Sequence, residues 1–231
     1  EAETAFAEAG KAERAAFLVL EDSGKDEDFA ALALAAAPDK IWILRPQGFL
    51  TKEYLTGKLA ELADKGTKLS TFQIKPQYAY LNQDETGQFF DVLIAAYLLN
   101  PLKNDYSIED IANEQLGLMI QSRQQLLEKL SLTKAAQEKE EAFQEYAGFA
   151  VYTIFLAQPL LQEKLQETEM ENLFREIEMP LTRVLHEMEK EGVEVRPEEL
   201  KAYGDALVDR INELENSIHK QAGEDFNILT M

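Results

Sequence analysis

Short apolar runs set between turn-forming residues constrain the fold of this chain most. Ala16-Phe17-Leu18-Val19-Leu20 reads as a buried strand, and Lys40-Ile41-Trp42-Ile43-Leu44 as a second between Pro38 and Pro46. Lys68-Leu69-Ser70-Thr71-Phe72 is a weaker third. A helix is expected between the second and third, from about Thr51. Thr51 supplies its cap, Leu55, Leu59 and Leu62 its stripe, and Gly66 lies past its end. Strands mixed with helices argue for an α/β layer architecture.

Beyond Phe90 the pattern becomes helical. Asp91 opens the run Val92-Leu93-Ile94-Ala95-Ala96-Tyr97-Leu98-Leu99, which stops at Asn100-Pro101, and apolar residues all round it imply burial. Ser107 caps the next helix, Asp110 complements its positive end, and Gly117 closes it. A long helical region is expected over about 133–165. In the last third Met170, Leu173, Ile177, Leu181, Val184, Leu185 and Met188 form one stripe, which Pro180 should kink or divide. Gly192 ends it, and Val193-Glu194-Val195 is a short extended piece. Pro197-Glu198-Glu199 opens a further helix with the stripe Leu200, Tyr203, Leu207, Ile211, Leu214 and Ile218, with Gly223 past its end. The dense acids at 167–171 separate two helical patterns, so the expected domains are 1–168 and 169–231.

Composition narrows the chemistry. There is no cysteine, which excludes disulfides and thiolate sites, and only His186 and His219 are available for a histidine metal site. The formal net charge is −20. Residues 167–231 hold 17 acids against 7 bases and the rest 26 against 16, so each part carries a balance of −10. Neither part offers a basic footprint, and the segment alone is expected to bind DNA weakly. No apolar stretch is long enough for a membrane span. The first residue is Glu1, so a piece of a longer protein is expected, with a processed start as the alternative.

Two segments resemble bacterial family A DNA polymerases. The first is Phe90-Asp91-Val92-Leu93-Ile94-Ala95-Ala96-Tyr97-Leu98-Leu99-Asn100-Pro101, with Tyr106-Ser107-Ile108 and Leu116-Gly117 downstream. It is similar to a helix pair of the exonuclease domain. The second is Glu178-Met179-Pro180-Leu181, then Val184-Leu185-His186-Glu187-Met188-Glu189, Gly192-Val193, Ala222-Gly223 and Phe226-Asn227. It is similar to the opening of the polymerase region, up to the thumb. The resemblance implies an RNase H-like 3′–5′ exonuclease fold with a mixed central sheet and flanking helices, followed by a helical segment that begins the thumb. It also implies a cytoplasmic, nucleoid-associated bacterial protein acting in DNA replication and repair.

In that family the exonuclease metals are held by carboxylates from three places: an Asp-x-Glu at the end of the first strand, an aspartate after Asn-x-x-Tyr, and a Tyr-x-x-x-Asp on a late helix. Hard divalent cations demand such oxygen ligands. This sequence departs at all three. With Glu21 at the family's glutamate, Val19 stands at the aspartate; with Glu21 at the aspartate, Ser23 stands at the glutamate. Gln77 occupies the second aspartate position. Tyr146 is kept, but Ala150 replaces the third acid. The expectation is a catalytically degenerate domain with no catalytic, cofactor or metal site of its own. The resemblance implies Mg2+, primer-template DNA, dNTPs and the remainder of the polymerase chain as cofactor and partners of an intact polymerase. The alternatives are an active nuclease using rearranged acids such as Glu21, Asp22 and Asp91, or an acidic protein-interaction module.

Individual residues also have plainer roles. Asp91 reads as a helix cap, Glu21 and Asp22 as a polar strand end, Tyr146 as packing, Trp42 as core and His186 as structural or exposed. Lys68, Lys75, Arg123, Lys129, Lys134 and Lys139 are interspersed with acids and read as solvated charges.

Overall fold

The structure is a computed structural model and describes residues 1–22, 29–81, 88–103 and 105–228. Ser23 lies outside them. The chain divides into two compact units, Glu1–Glu189 and Lys190–Met231.

The first unit opens with helix α1 (Ala2–Lys11), then strands β1 (Arg14–Glu21), β2 (Phe29–Ala37) and β3 (Lys40–Leu44). Helix α2 (Lys52–Asp64), strand β4 (Lys68–Thr71), the short helix α3 (Ile74–Gln77) with a 3-10 turn at Tyr78–Tyr80, and strand β5 (Phe89–Asp91) follow. The rest is helical: α4 (Val92–Leu99), α5 (Ile108–Leu116), α6 (Arg123–Leu127), α7 (Leu132–Glu138), α8 (Glu140–Glu167), α9 (Glu171–Leu173), a π-helical stretch at Phe174–Glu178, and α10 (Met179–Glu191). The five strands form one mixed sheet in the order β3-β2-β1-β4-β5. β1 pairs antiparallel with β2 and parallel with β4, and β4 runs parallel to β5. Every residue from Ala15 to Leu20 is buried, as a central strand covered on both faces requires.

β2 and β5 do not figure in the sequence reading. β2 reads Phe-Ala-Ala-Leu-Ala-Leu-Ala-Ala-Ala, and alanine is the strongest helix former. Pairing on both edges overrides that preference. Register places Ala31, Ala33 and Ala35 opposite Leu20, Leu18 and Ala16 of β1, while Ala33 and Ala35 also face Ile43 and Ile41 of β3. α8 packs across the sheet beside this alanine face: a Cβ on Gly148 of α8 would meet Ile43 Cδ1 of β3 at 3.9 Å. Small residues are the means of approach, so the strand's composition follows from its neighbours.

Local signals settle most helix ends. Thr51 Oγ1 accepts the Tyr54 amide at 3.2 Å, and Leu55, Leu59 and Leu62 are buried beneath α2. Ser107 and Asp110 form a reciprocal capping box on α5, and Gly117 takes the left-handed conformation (φ 65°) that closes it. The helical region expected over 133–165 is instead two helices, broken at Lys139 (φ −134°, ψ 56°). The expected effect of Pro180 appears one turn earlier. Proline cannot donate to the carbonyl four residues back, and the π-helical turn at Phe174–Glu178 absorbs the mismatch.

α8 ends at Glu167, where the sequence pattern changes, while compactness persists to Glu189 because Phe174, Met179 and Thr182 are buried. Their stripe neighbours Ile177, Val184 and Met188 remain more than half exposed. The second unit is dominated by α11 (Pro197–Ala222), with proline at its start and Gly223 (φ 79°) at its end. No residue of α11 is buried, and each residue of its apolar stripe is exposed.

Candidate functional site

Val19, Glu21 and Gln77 meet at the carboxyl end of β1. β1 pairs with β4 only from Arg14 to Ala16, so the amides beyond run past the end of their parallel neighbour. Gln77 replaces the missing strand. Its Oε1 accepts the Val19 amide at 2.9 Å, and its Nε2 donates to Thr71 Oγ1 at 2.6 Å, the Phe72 carbonyl at 2.8 Å and the Gln73 carbonyl at 3.3 Å. Gln77 is 4% exposed. The orientation of its amide follows from the network, because only an oxygen can face the Val19 N–H. A carboxylate here would aim its second oxygen at two carbonyl oxygens. The position therefore selects a donor, and the side chain has no lone pair directed to a shared cation.

Val19 is buried and Ala150 is wholly buried, so neither offers a polar atom from its side chain. Tyr146 stands one turn before Ala150 on α8, half-buried, and burial pushes its hydroxyl pKa up. The acids left in the region are each engaged. Glu21 accepts a hydrogen bond from the Tyr80 hydroxyl. Asp22 caps α7, accepting the Leu132 amide at 2.6 Å and the Thr133 amide and hydroxyl at 3.0 and 2.8 Å. Partial burial raises the Asp22 pKa, but the bonds from Thr133 and Leu132 outweigh it and hold it below the ordinary value. Arg123 lies 3.7 Å away.

Asp91 is the most constrained acid. It is 2% exposed and caps α4 through the Leu93 amide at 2.9 Å, the role read from the sequence. It also receives the amides of Ile74 at 2.7 Å and Gln73 at 3.2 Å, at the start of α3. Two helix starts thus converge on one carboxylate, and Gln73 holds a left-handed conformation (φ 56°) to present its amide. Burial pushes the Asp91 pKa up to about 6 against the pull of these amides.

Among the described residues no three acidic or histidine side chains are placed to hold a metal ion. Glu21, Asp22 and Asp91 point to three separate partners rather than to a shared point. The described residues do not gather the acids that a two-metal centre needs. Sequence reasoning missed the second role of Asp91, the Asp22 cap, and the Tyr78 hydroxyl, which lies 3.0 Å from Thr182 Oγ1. None has a local signal, since partners stand 17 to 111 positions apart. His186 packs edge-on to Tyr78, and Trp42 is half-buried opposite Leu34. Lys75, Lys139 and Lys68 pair with Glu189, Glu128 and Glu13.

The mixed sheet with α8 across it defines an α/β fold of the RNase H-like type, continued by helices. The chain is similar to one segment of bacterial DNA polymerase I. It is 34% identical over 142 residues to DNA polymerase I of Bacillus subtilis strain 168, covering 62% of this chain. It spans only 16% of that relative. The POL domain of Pol1 from M. smegmatis, in complex with DNA primer-template and dNTP, superposes with a TM-score of 0.69 at 18% identity, over 97% of this chain and 36% of that one. A nuclease in its apo form superposes with a TM-score of 0.62 at 15% identity, over 84% of this chain and 93% of that one. No protein-family model matches the chain. No helix among the described residues is long and apolar enough to cross a membrane.

Proposed function

We propose that residues 1–168 are a non-catalytic, proofreading-inactive exonuclease-like domain of a DNA polymerase, and that 169–231 begin its polymerase region. The domain's task is to support the polymerase region and hold its architecture. The whole polymerase extends a primer on template DNA from dNTPs with Mg2+, in the bacterial cytoplasm. This segment holds none of that chemistry.

One observation carries the reading: the Gln77 amide is spent on Val19, Thr71, Phe72 and Gln73, where the resemblance calls for a metal-binding aspartate. A neutral amide with its oxygen occupied cannot offset two divalent cations, and apolar Val19 and Ala150 add nothing. The net charge of −20 further opposes DNA approach.

The test is incubation of the purified chain with a 3′-labelled single strand and magnesium or manganese, beside the Glu21→Ala, Asp22→Ala double variant. No shortening is expected from either protein. Shortening by the parent chain that the double variant lacks would overturn the reading in favour of rearranged ligands.

A further inference from the structure

A second polar cleft lies at the opposite end of the sheet, where β1, β4 and β5 begin. Its volume is about 300 Å³, at the lower end of small-ligand pockets. Three of the charged side chains lining it are cations, Arg14, Lys68 and Arg175, and one, Glu13, is an acid. That local excess stands out on a chain of net charge −20.

Arg14 is held there by a break in α8. Pro159 sits inside that helix and has no N–H, so the Phe155 carbonyl one turn earlier loses its helical donor. Arg14 Nη1 donates to that carbonyl at 2.5 Å, and the guanidinium lies 3.9 Å over the Phe155 ring. One of five N–H donors is thereby used and the plane is fixed. Among the described residues no carboxylate reaches ion-pair distance of Arg14, and burial lowers its pKa, with Glu13 acting through space the other way. A partly desolvated, oriented guanidinium without a counterion is a site for an anion. Gln158 and Gln162, on the same face of α8 as Pro159, supply amides beside it. Arg175 is placed at the cleft by the π-helical stretch, a distortion that recurs at functional sites.

We propose that this cleft binds a small phosphate-bearing anion of nucleoside-monophosphate size, anchored by Arg14. Lys68 and Arg175 complete the positive rim. Both already meet acids, Lys68 with Glu13 at 4.0 Å and Arg175 with Glu171 at 2.9 Å, so the guanidinium of Arg14 contributes most. Two planar forks and an ammonium suit the oxygens of a phosphomonoester, which a free nucleotide or the end of a nucleic-acid strand can present.

The experiment is isothermal titration of the whole chain at low ionic strength with adenosine monophosphate, inorganic phosphate and adenosine. The first two are expected to bind and adenosine not. Arg14→Gln keeps a donor for the Phe155 carbonyl and removes the charge; it is expected to weaken binding at least tenfold. Glu13→Gln should tighten it severalfold. Lys129→Gln, a charge change beyond the other end of β1, should leave it unchanged. A 5′-phosphorylated oligonucleotide set against its unphosphorylated twin separates the two sources. Discrimination between the twins identifies a strand end; binding of the free nucleotide with none of either oligonucleotide identifies a mononucleotide. Absence of saturable phosphate binding at millimolar ligand, or equal binding by Arg14→Gln, overturns the proposal and leaves Arg14 as a carbonyl cap. Should circular dichroism show that Arg14→Gln does not fold, the Lys68→Gln, Arg175→Gln double variant takes its place under the same criterion.

Discussion

At the scale of single residues, Gln77 is more informative than its neighbours. Four hydrogen bonds of its amide tie β1 to the turn after β4. Exchange of its Nε2 for an oxygen sets an acceptor against the Phe72 and Gln73 carbonyls, while the Thr71 hydroxyl can turn to donate. Gln77→Glu is therefore expected to destabilise the chain by about 2 kcal/mol, the cost of leaving buried partners unmet. Urea denaturation followed by circular dichroism checks this, and a variant as stable as the parent would show that the amide orientation is immaterial. By the same polarity, an acid placed at 77 competes with folding before it can assist any metal. That a neutral side chain stands at 77, where the resemblance implies an acid, is visible in the sequence. What the amide does instead is not, because Val19 is 58 positions away.

Asp91 acts at the scale of elements, since it joins β5, α4 and α3. Its folded pKa, raised to about 6 by burial, lies above the unfolded value of about 3.9. The folded state therefore binds the proton more tightly. Between about pH 4 and 6 the unfolded chain has released it while the folded chain has not, so this residue's contribution to stability falls as pH rises. Above about pH 6 the ionised carboxylate costs on the order of 3 kcal/mol relative to acid conditions. The stability of the parent minus that of Asp91→Asn, measured from pH 4 to 7, should decline with pH and level off above 6. A difference that rises across that interval would refute the raised pKa. The cap on α4 is legible from Asp91 preceding an apolar run. The tie to α3 is not, because the amides of Gln73 and Ile74 arrive there only when β4 and β5 pair side by side.

Across the whole molecule, order is unevenly supported. The first unit has a continuous core on both faces of the sheet, whereas α11 buries no residue and presents Leu200, Tyr203, Leu207, Ile211, Leu214 and Ile218 to solvent. A helix without tertiary packing is marginal, so amides of 197–222 are expected to exchange with deuterium far sooner than those of β1. Hydrogen exchange read by mass spectrometry tests this; equal protection of the two would mean that the stripe is covered by association in solution. The sequence alone determined features whose cause is local: the strands at β1, β3 and β4, the caps at Thr51, Ser107 and Asp91, the stops at Gly117 and Gly192, and the neutral side chains at 77 and 150. Tertiary structure alone decided that alanine-rich β2 is a strand, that Asp22 caps α7, that Gln77 substitutes for a strand, and that Arg14 answers the carbonyl freed by Pro159. The physical reason is common to all four. Each hydrogen-bonding group is satisfied by a partner distant in the chain, and such a partner leaves no periodicity or motif where it acts.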